Sequence, residues 1–365
     1  MNEERANQIS RIVIKGFKSI KECEVDLKNI NVLIGANGAG KSNFISAFEM
    51  LQKVLSRDLT FYTGKKGGAG TLLYNGRKVT DSISMEFHIA ENVYAFELEA
   101  TETDRFLFRE ERFESPSSIW GDGGHTESKL SDAIKDGLVG LLDTEDWLFE
   151  PFSVYQFHDT SSSSRIKSEN YISNSVSLMS DARNLAAFLY RLKQVFPKEY
   201  SKVLRIVQRI APFVEDLILE PNELNNEQII LKWQQKGCED VFSASQLSDG
   251  TLRFICLATL LLQPEELKPA TIIIDEPELG LHPYAITIFA ELVKKAAAKK
   301  QIILATQSVE LLDHFEPEDV IVLDRTENGS EFKRLDEEQL TAWLEDDYSL
   351  GELWNKNLFG GRVAR

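Results

Sequence analysis

Residues Gly35-Ala36-Asn37-Gly38-Ala39-Gly40-Lys41-Ser42 have the spacing G-x-x-x-x-G-K-[ST]. Glycines so placed let backbone N–H groups turn inward around phosphate oxygens, and a helix start adds the positive end of its dipole. Lys41 suits neutralising the β- and γ-phosphates of a nucleotide, and the Ser42 hydroxyl suits ligating Mg²⁺. A second group, Thr271-Ile272-Ile273-Ile274-Asp275-Glu276-Pro277, delivers two acids at the end of an apolar run. In α/β sheets ligands bind at that end of the strands. Asp275 suits the metal shell and Glu276 suits polarising an attacking water. Alone, the two acids could equally close a strand as a solvated turn; the phosphate loop upstream favours the chemical reading. A third group, Gln246-Leu247-Ser248-Asp249-Gly250-Thr251, precedes a strongly apolar segment and puts Ser248 27 residues before Asp275. Serine and glycine at a helix start can hold a phosphate, although Ser248 or Asp249 can also simply cap the helix.

A phosphate loop functions between a strand and a helix, and the flanks have those patterns. Ile30 to Ile34 is a short apolar run, and Phe44, Ile45, Phe48, Leu51 and Val54 recur at helical spacing. Ile12–Ile14 and the alternation from Cys23 to Leu27 predict two earlier strands, with turns near Lys15-Gly16 and Lys18-Ser19. After the helix, residues 64–70 read as a glycine-rich loop. Alternation through Ile83–Ile89, Tyr94–Leu98 and Phe106–Phe108 then predicts an antiparallel meander inserted after that helix. Residues 115–131 read as loop, as does 159–177, which holds eight serines, four of them consecutive from Ser161 to Ser164. Residues 181–211 are helical, interrupted at Pro197. Helices at 251–262 and 285–298 then alternate with apolar strands at 271–274, 302–305 and 320–323. The fold class is α/β, with a mixed and mainly parallel sheet and an antiparallel β lobe.

The 365 residues carry a formal charge of −17, so any contact with DNA must use a local basic patch and is expected to be weak. Lys65, Lys66, Arg77 and Lys78 could form an anionic-ligand patch, but a solvated loop is the simpler reading. Cys23, Cys238 and Cys256 are too dispersed for a disulfide scaffold or a cysteine zinc site. The five histidines, His282 before Pro283 among them, do not pair at metal-ligand spacing. The longest apolar stretch, Phe254–Leu262, is too short to span a bilayer, and Met1–Arg5 lacks the apolar start of a secretory leader. A cytoplasmic protein without membrane contact is expected.

Taken in order, Gly35–Ser42, Leu247–Thr251, Ile272–Glu276 and Ala305-Thr306-Gln307-Ser308 resemble the head of an ABC-type ATPase. Ile14–Ile20 followed by Asn37–Asn43 resembles the SMC/RecF form of that head. Glu276–Pro283, Phe157–Ser161 and Leu350–Trp354 resemble compact prokaryotic AAA-type ATPases related to RecF and to the ATPase halves of OLD-like and Septu-like phage-defence systems. The resemblance covers essentially the whole chain. It implies one head over residues 1–365: a P-loop lobe start at 1–60, an antiparallel β lobe at 61–158, a serine-rich loop and helical insert ending in the signature at 159–250, and a Walker B lobe with the C-terminal segment at 251–365.

The resemblance also implies roles. ATP and Mg²⁺ are the ligands. Gly35, Asn37, Gly38, Ala39, Gly40, Lys41, Ser42 and Asn43 contact nucleotide, and Ser248 and Gly250 contact the γ-phosphate bound by a second subunit. Lys18 reaches the nucleotide or is a solvated turn lysine. The metal set is Ser42, Asp275 and Gln156, with His158 and Asp159 facing nucleotide or closing their strand. Glu276 and Gln307 form the catalytic set. Gln307 stands where many such heads carry histidine; it can donate a hydrogen bond but cannot move a proton, which makes it a sensor or water-positioner. The signature reads Leu-Ser-Asp-Gly-Thr, so Asp249 brings a negative charge near phosphate unless it points away or caps the helix, and slow turnover stays open.

The function this implies is an ATP-hydrolysing head that forms a homodimer or higher even-numbered oligomer on ATP. It would switch a separate effector, nuclease or toxin-like, in phage defence. A RecF-like repair ATPase acting on DNA and a slowly or non-hydrolysing nucleotide-gated scaffold are the alternatives. Only 57 residues follow Ser308, too few for an appended TOPRIM nuclease domain of roughly 100 residues.

Overall fold

The computed structural model describes residues 8–139, 152–336, 338, 340 and 348–360. Met1–Arg5, read above for a leader, lies outside them, as does 140–151 within the expected β lobe. The chain opens with β1 (Ile9–Phe17), β2 (Ile20–Asp26) and β3 (Ile30–Ile34), then α1 (Lys41–Leu55) and α2 (Leu59–Lys65). Strands β4 (Ser82–Ile89), β5 (Asn92–Ala100), β6 (Phe106–Glu114) and β7 (Ile119–Asp122) lead to α3 (Leu130–Lys135) and β8 (Phe152–Tyr155). The next part holds β9 (Asn170–Tyr171), α4 (Leu185–Val195), α5 (Pro197–Ile210), β10 (Val214–Ile218), β11 (Pro221–Asn222), β12 (Asn225–Ile229), β13 (Lys232–Gln235) and β14 (Val241–Ser243). Last come α6 (Asp249–Leu262), β15 (Thr271–Asp275), α7 (Pro283–Ala297), β16 (Gln301–Thr306), α8 (Val309–Leu312), β17 (Val320–Thr326), β18 (Gly329–Arg334) and α9 (Leu350–Asn355).

Two six-stranded sheets organise the molecule. One has the order β2-β1-β4-β5-β6-β7 and is antiparallel throughout. The other has the order β18-β17-β3-β16-β15-β8, parallel except for the β17–β18 hairpin. Its inner strands β3, β16 and β15 are buried on both faces, which is why they read as near-unbroken apolar runs. Alternate side chains divide between two cores. Val32, Ile34, Ile272, Ile274, Ile302 and Leu304 face a core shared with α4 to α7. Leu33, Ile273, Ile303 and Ala305 face the other, shared with α1 and the antiparallel sheet.

The register sets the site. Ile34 lies beside Thr306, Asp275 beside Ala305, and Ile274 beside Tyr155. The phosphate loop, Asp275, Gln307 and Gln156 therefore leave the sheet at one edge.

Several details differ from the pattern reading. The antiparallel lobe is not only an insertion after α1, because β1 and β2, from before the phosphate loop, form part of its sheet. The stretch 115–131 is not wholly loop: it contains β7, an edge strand with mostly exposed residues, and the start of α3. The expected loop at 64–70 begins inside α2. The strands β10 to β14 are two to five residues long, too short for a sustained alternation to mark them. Among the described residues no helix is long and apolar enough to cross a membrane.

Phe48 joins the layers. Its ring lies 5.5 Å from that of Phe44 on α1, 6.3 Å from Phe87 on β4 and 5.7 Å from Phe152 on β8, and it has no exposed surface. Phe48→Ala is expected to cost about 3–5 kcal/mol, since three rings cannot collapse into the space together. Denaturant unfolding measures this, and a loss under about 1 kcal/mol would contradict the joining role.

Candidate functional site

The phosphate loop runs from the end of β3 to the first turn of α1, with Gly40 at the N-cap. Gly38 adopts φ +82°, and a side chain built there would meet nothing within 4 Å. Its backbone therefore borders open space, as a cradle for a phosphate requires. The Lys41 ammonium donates to the Gly35 carbonyl at 2.5 Å and to that of Ala36 at 3.2 Å. Burial lowers its pKa, while the charges of Glu276, Asp275 and Glu278 oppose that shift. Ser42 and Asn37 are exposed at the loop, and Ala39 is buried beneath it. Asn43 points elsewhere: its amide donates to Ser19 Oγ at 2.7 Å, and Ser19 meets Ser330 Oγ at 2.7 Å. It thus ties α1 to the β1–β2 turn and to β18.

The acids converge beside this loop. Asp275 is 7% exposed, and burial pushes its carboxyl up to about 6, with Glu276 and Glu278 adding to the rise and His158 and Lys41 opposing it. Gln156 Nε2 lies 3.4 Å from Asp275 Oδ2, and His158 Nε2 lies 3.0 Å from the Asp275 carbonyl. Glu276 has φ +45°, a strained value for a non-glycine residue, and its backbone N–H donates to Ala305 O at 2.8 Å. Gln307 Nε2 donates to Glu276 Oε1 at 2.7 Å. The catalytic pair expected from the sequence is thus in direct contact.

Glu278 forms a third acidic group that the sequence reading did not single out. Its Oε1 accepts from Thr306 Oγ1 at 2.7 Å and from the Gln307 N–H at 3.2 Å. Its Oε2 is buried with no hydrogen-bond partner, and burial raises its pKa. Glu278 fixes the backbone of Gln307 while Gln307 holds Glu276. Its position within Glu276–Pro283 was the available signal.

On α6, the exposed Ser248 Oγ accepts from the Thr251 N–H at 3.2 Å, so it caps its own helix. A Cβ on Gly250 would clash with the Gly280 carbonyl, so only glycine lets α6 approach the loop after Glu276. Arg253 binds three carbonyls: Phe157 at 3.1 Å through Nε, Leu279 at 3.0 Å through Nη1 and His158 at 2.8 Å through Nη2. It fastens α6 to the strand end bearing Gln156 and to the 276–281 loop. A lone cation in the apolar run Leu252–Leu262 was the overlooked signal. Lys18, at φ +50° in the β1–β2 turn, has its pKa lowered to about 8 by burial and by Lys66, with Glu49 opposing. These neighbours place it against the flank of α1.

The residues suit a nucleotide and a divalent cation. The cradle at Gly38 is open, the Lys41 ammonium is held by the carbonyls of Gly35 and Ala36, the Gln156 amide meets the Asp275 carboxylate, and the exposed Ser42 opens α1 at the loop. Mg²⁺ binds through few protein ligands and completes its shell with phosphates and water.

The family model described as "AAA domain, putative AbiEii toxin, Type IV TA system" matches residues 30–313. An SMC head solved bound to the C-terminal winged-helix domain of ScpA is similar in fold, with a TM-score of 0.54 at 17% identity, covering 92% of this chain and 99% of that one. An SMC head with an extended coiled coil, bound to the C-terminal domain of ScpA derived from Pyrococcus furiosus, gives 0.54 at 16% identity, covering 93% and 99%. No match was found among curated proteins.

Burial of Asp275 links this site to stability. Its folded-state pKa of about 6 exceeds the ordinary value of 3.8, so the folded chain holds the proton more tightly. Stability from this group is present at low pH and is lost as pH rises through that window. Asp275→Asn is therefore expected to raise stability at pH 8 by roughly 2–3 kcal/mol and to change it little near pH 4. Unfolding at both pH values checks this; the same difference at both would mean that the carboxyl titrates normally.

Proposed function

Because the chain belongs to this AAA-domain family and has the fold of an ABC/SMC-like P-loop ATPase head, we propose that it binds and hydrolyses ATP and uses the cycle to join two copies and switch a partner effector. The observation that carries the reading is the meeting of Lys41, Asp275 with Gln156, and the Glu276–Gln307 pair at one sheet edge. The triphosphate lies along Gly35–Ser42, and Lys41 exchanges the carbonyls of Gly35 and Ala36 for phosphate oxygens. Ser42, Asp275 and Gln156 would hold a divalent cation, which would supply positive charge to offset that of the phosphates.

Gln307 Nε2 donates to Glu276 Oε1. When the γ-phosphate draws the Gln307 amide, the Glu276 carboxylate is released to orient a water. That water attacks the γ-phosphorus, its proton passes to Glu276, the bond to the β–γ bridging oxygen breaks, and ADP leaves. Ser248 and Gly250 complete the γ-phosphate shell of a second copy. Their location on an exposed helix start supports that reading.

The family's description as a putative AbiEii toxin of a type IV toxin–antitoxin system supports a place in such a system, and phage defence through a separate effector is our reading of it. The solved SMC heads bound to ScpA domains support protein-partner recognition. The charge of −17 disfavours direct action on DNA. A slowly turning nucleotide switch is the second reading, favoured by Gln307, which cannot move a proton.

Glu276→Gln is expected to retain ATP binding and lower turnover by about 10²-fold or more. Single-turnover and steady-state assays with calorimetric ATP binding measure this; wild-type turnover would remove Glu276 from the chemistry. A second test mixes Lys41→Ala chains, which have a disabled phosphate loop, with Ser248→Arg chains, which have a disabled signature. Shared sites restore one whole composite site per mixed dimer, so ATPase activity should reappear. Heterodimers seen by native mass spectrometry without recovered activity would oppose the shared site.

A further inference from the structure

Asp249 poses an electrostatic problem at the signature. A helix start attracts phosphate through free N–H groups and a partial positive charge, and a carboxylate in the first turn cancels that charge. Asp249 is such a carboxylate and is 59% exposed. Arg253, on the same helix, has Nε, Nη1 and Nη2 bound to three carbonyls.

A different cation faces Asp249. Lys167 Nζ lies 3.4 Å from Asp249 Oδ1 and donates to the Thr160 carbonyl at 2.5 Å. Its side chain is only 7% exposed, although it belongs to the serine-rich stretch. The local chain is built to hold it there. Ser164 Oγ donates to Asp159 O at 2.6 Å and caps the 3₁₀ turn Arg165–Lys167, while Ile166 anchors that turn at 2% exposure. Asp159 in turn accepts from Ser161 Oγ at 2.7 Å. This strap starts after His158, whose ring meets the Asp275 carbonyl and whose own carbonyl is held by Arg253. One short segment thus leads from the acid Asp275 to the carboxylate of the signature.

We propose that Lys167 is a positioning residue that supplies the counter-charge for Asp249, so that the Leu-Ser-Asp-Gly-Thr signature can accept a γ-phosphate from a second copy. This rests on the reading that the signature acts in trans. Two charges help hold the strap on α6, and their net neutrality leaves the positive end of the helix dipole uncancelled. The site takes a nucleoside triphosphate end, and its affinity depends on the charge balance of positions 167 and 249 rather than on either residue alone.

The test is assembly of the full-length chain, measured by sedimentation against rising concentrations of the β,γ-imido analogue of ATP with Mg²⁺. Lys167→Met is expected to raise the half-maximal concentration about tenfold or more, because it leaves a carboxylate uncompensated beside a polyanion. Lys167→Arg is expected to stay within about threefold of wild type. Asp249→Asn added to Lys167→Met should restore assembly to within about threefold, which loss of the strap's structural bond to Thr160 would not allow. Wild-type assembly by Lys167→Met, or a double variant no better than Lys167→Met, overturns the proposal. Should Lys167→Met fail to melt cooperatively, Asp249→Asn alone decides: about threefold tighter assembly supports the counter-charge, and unchanged or weaker assembly overturns it. Ser248→Arg is measured alongside. If it assembles normally, the shared signature fails and this proposal with it; if it blocks assembly while Lys167→Met does not, the counter-charge alone fails.

Discussion

The common ending of the parallel strands is the constraint on which the rest depends. A sheet buried on both faces must pair its backbone groups internally, because an unpaired buried N–H or C=O costs as much as a lost hydrogen bond. Pairing of β3 with β16, β16 with β15, and β15 with β8 fixes where each strand stops. Loops leaving those ends cannot shift independently without breaking the ladder. The Gly35–Ser42 loop, Asp275, the Glu276–Gln307 pair and the Gln156 amide are therefore held within reach of one another by backbone bonding as well as by their own contacts.

That framework also holds charge in place. Three carboxylates, Asp275, Glu276 and Glu278, lie near one buried lysine. Burial, and to a lesser extent repulsion from Glu276, raises the Asp275 and Glu278 carboxyls. A divalent cation beside these carboxylates would favour their charged forms. Glu276 adds backbone strain at positive φ, and the Gln307 bond holds its carboxylate. In the proposed cycle, binding energy from a nucleotide would rearrange this pair, which is how a small ligand moves a two-state element.

Movement at the edge has a route to the helical part of the molecule. Arg253 bonds the ends of two loops that leave the sheet, and its helix begins with the signature. Gly250 brings that helix against Gly280 with no room for a side chain. At the far side, α9 abuts the helix that follows Gln307: the Gly351 N–H donates to Asp313 at 2.5 Å. The elements around Glu276 and Gln307 are thus braced from both neighbouring subdomains.

How much of this was legible depended on the range of the interaction. The phosphate loop, the apolar strand ending in Asp275 and Glu276, and the helix after Ser248 were readable because glycine spacing, strand apolarity and helical periodicity are properties of consecutive residues. The alternation through Ile83–Leu98 gave the antiparallel lobe for the same reason. Nothing local marked the membership of β1 and β2 in that lobe, because sheet partners are chosen by long-range packing. The short strands after α5 carried too few apolar positions to show a period. Asn43 is part of a recognisable motif, yet its amide goes to Ser19, a contact across 24 positions that only folding creates. Gln156 beside Asp275, Arg253 on three carbonyls and Lys167 against Asp249 likewise join residues far apart in the chain. The sequence by itself determined which groups could bind phosphate and move a proton, since those are properties of residue type and local backbone. Tertiary structure alone decided which charges face one another, because electrostatic pairing depends on distance in space, and that distance is set by the sheet.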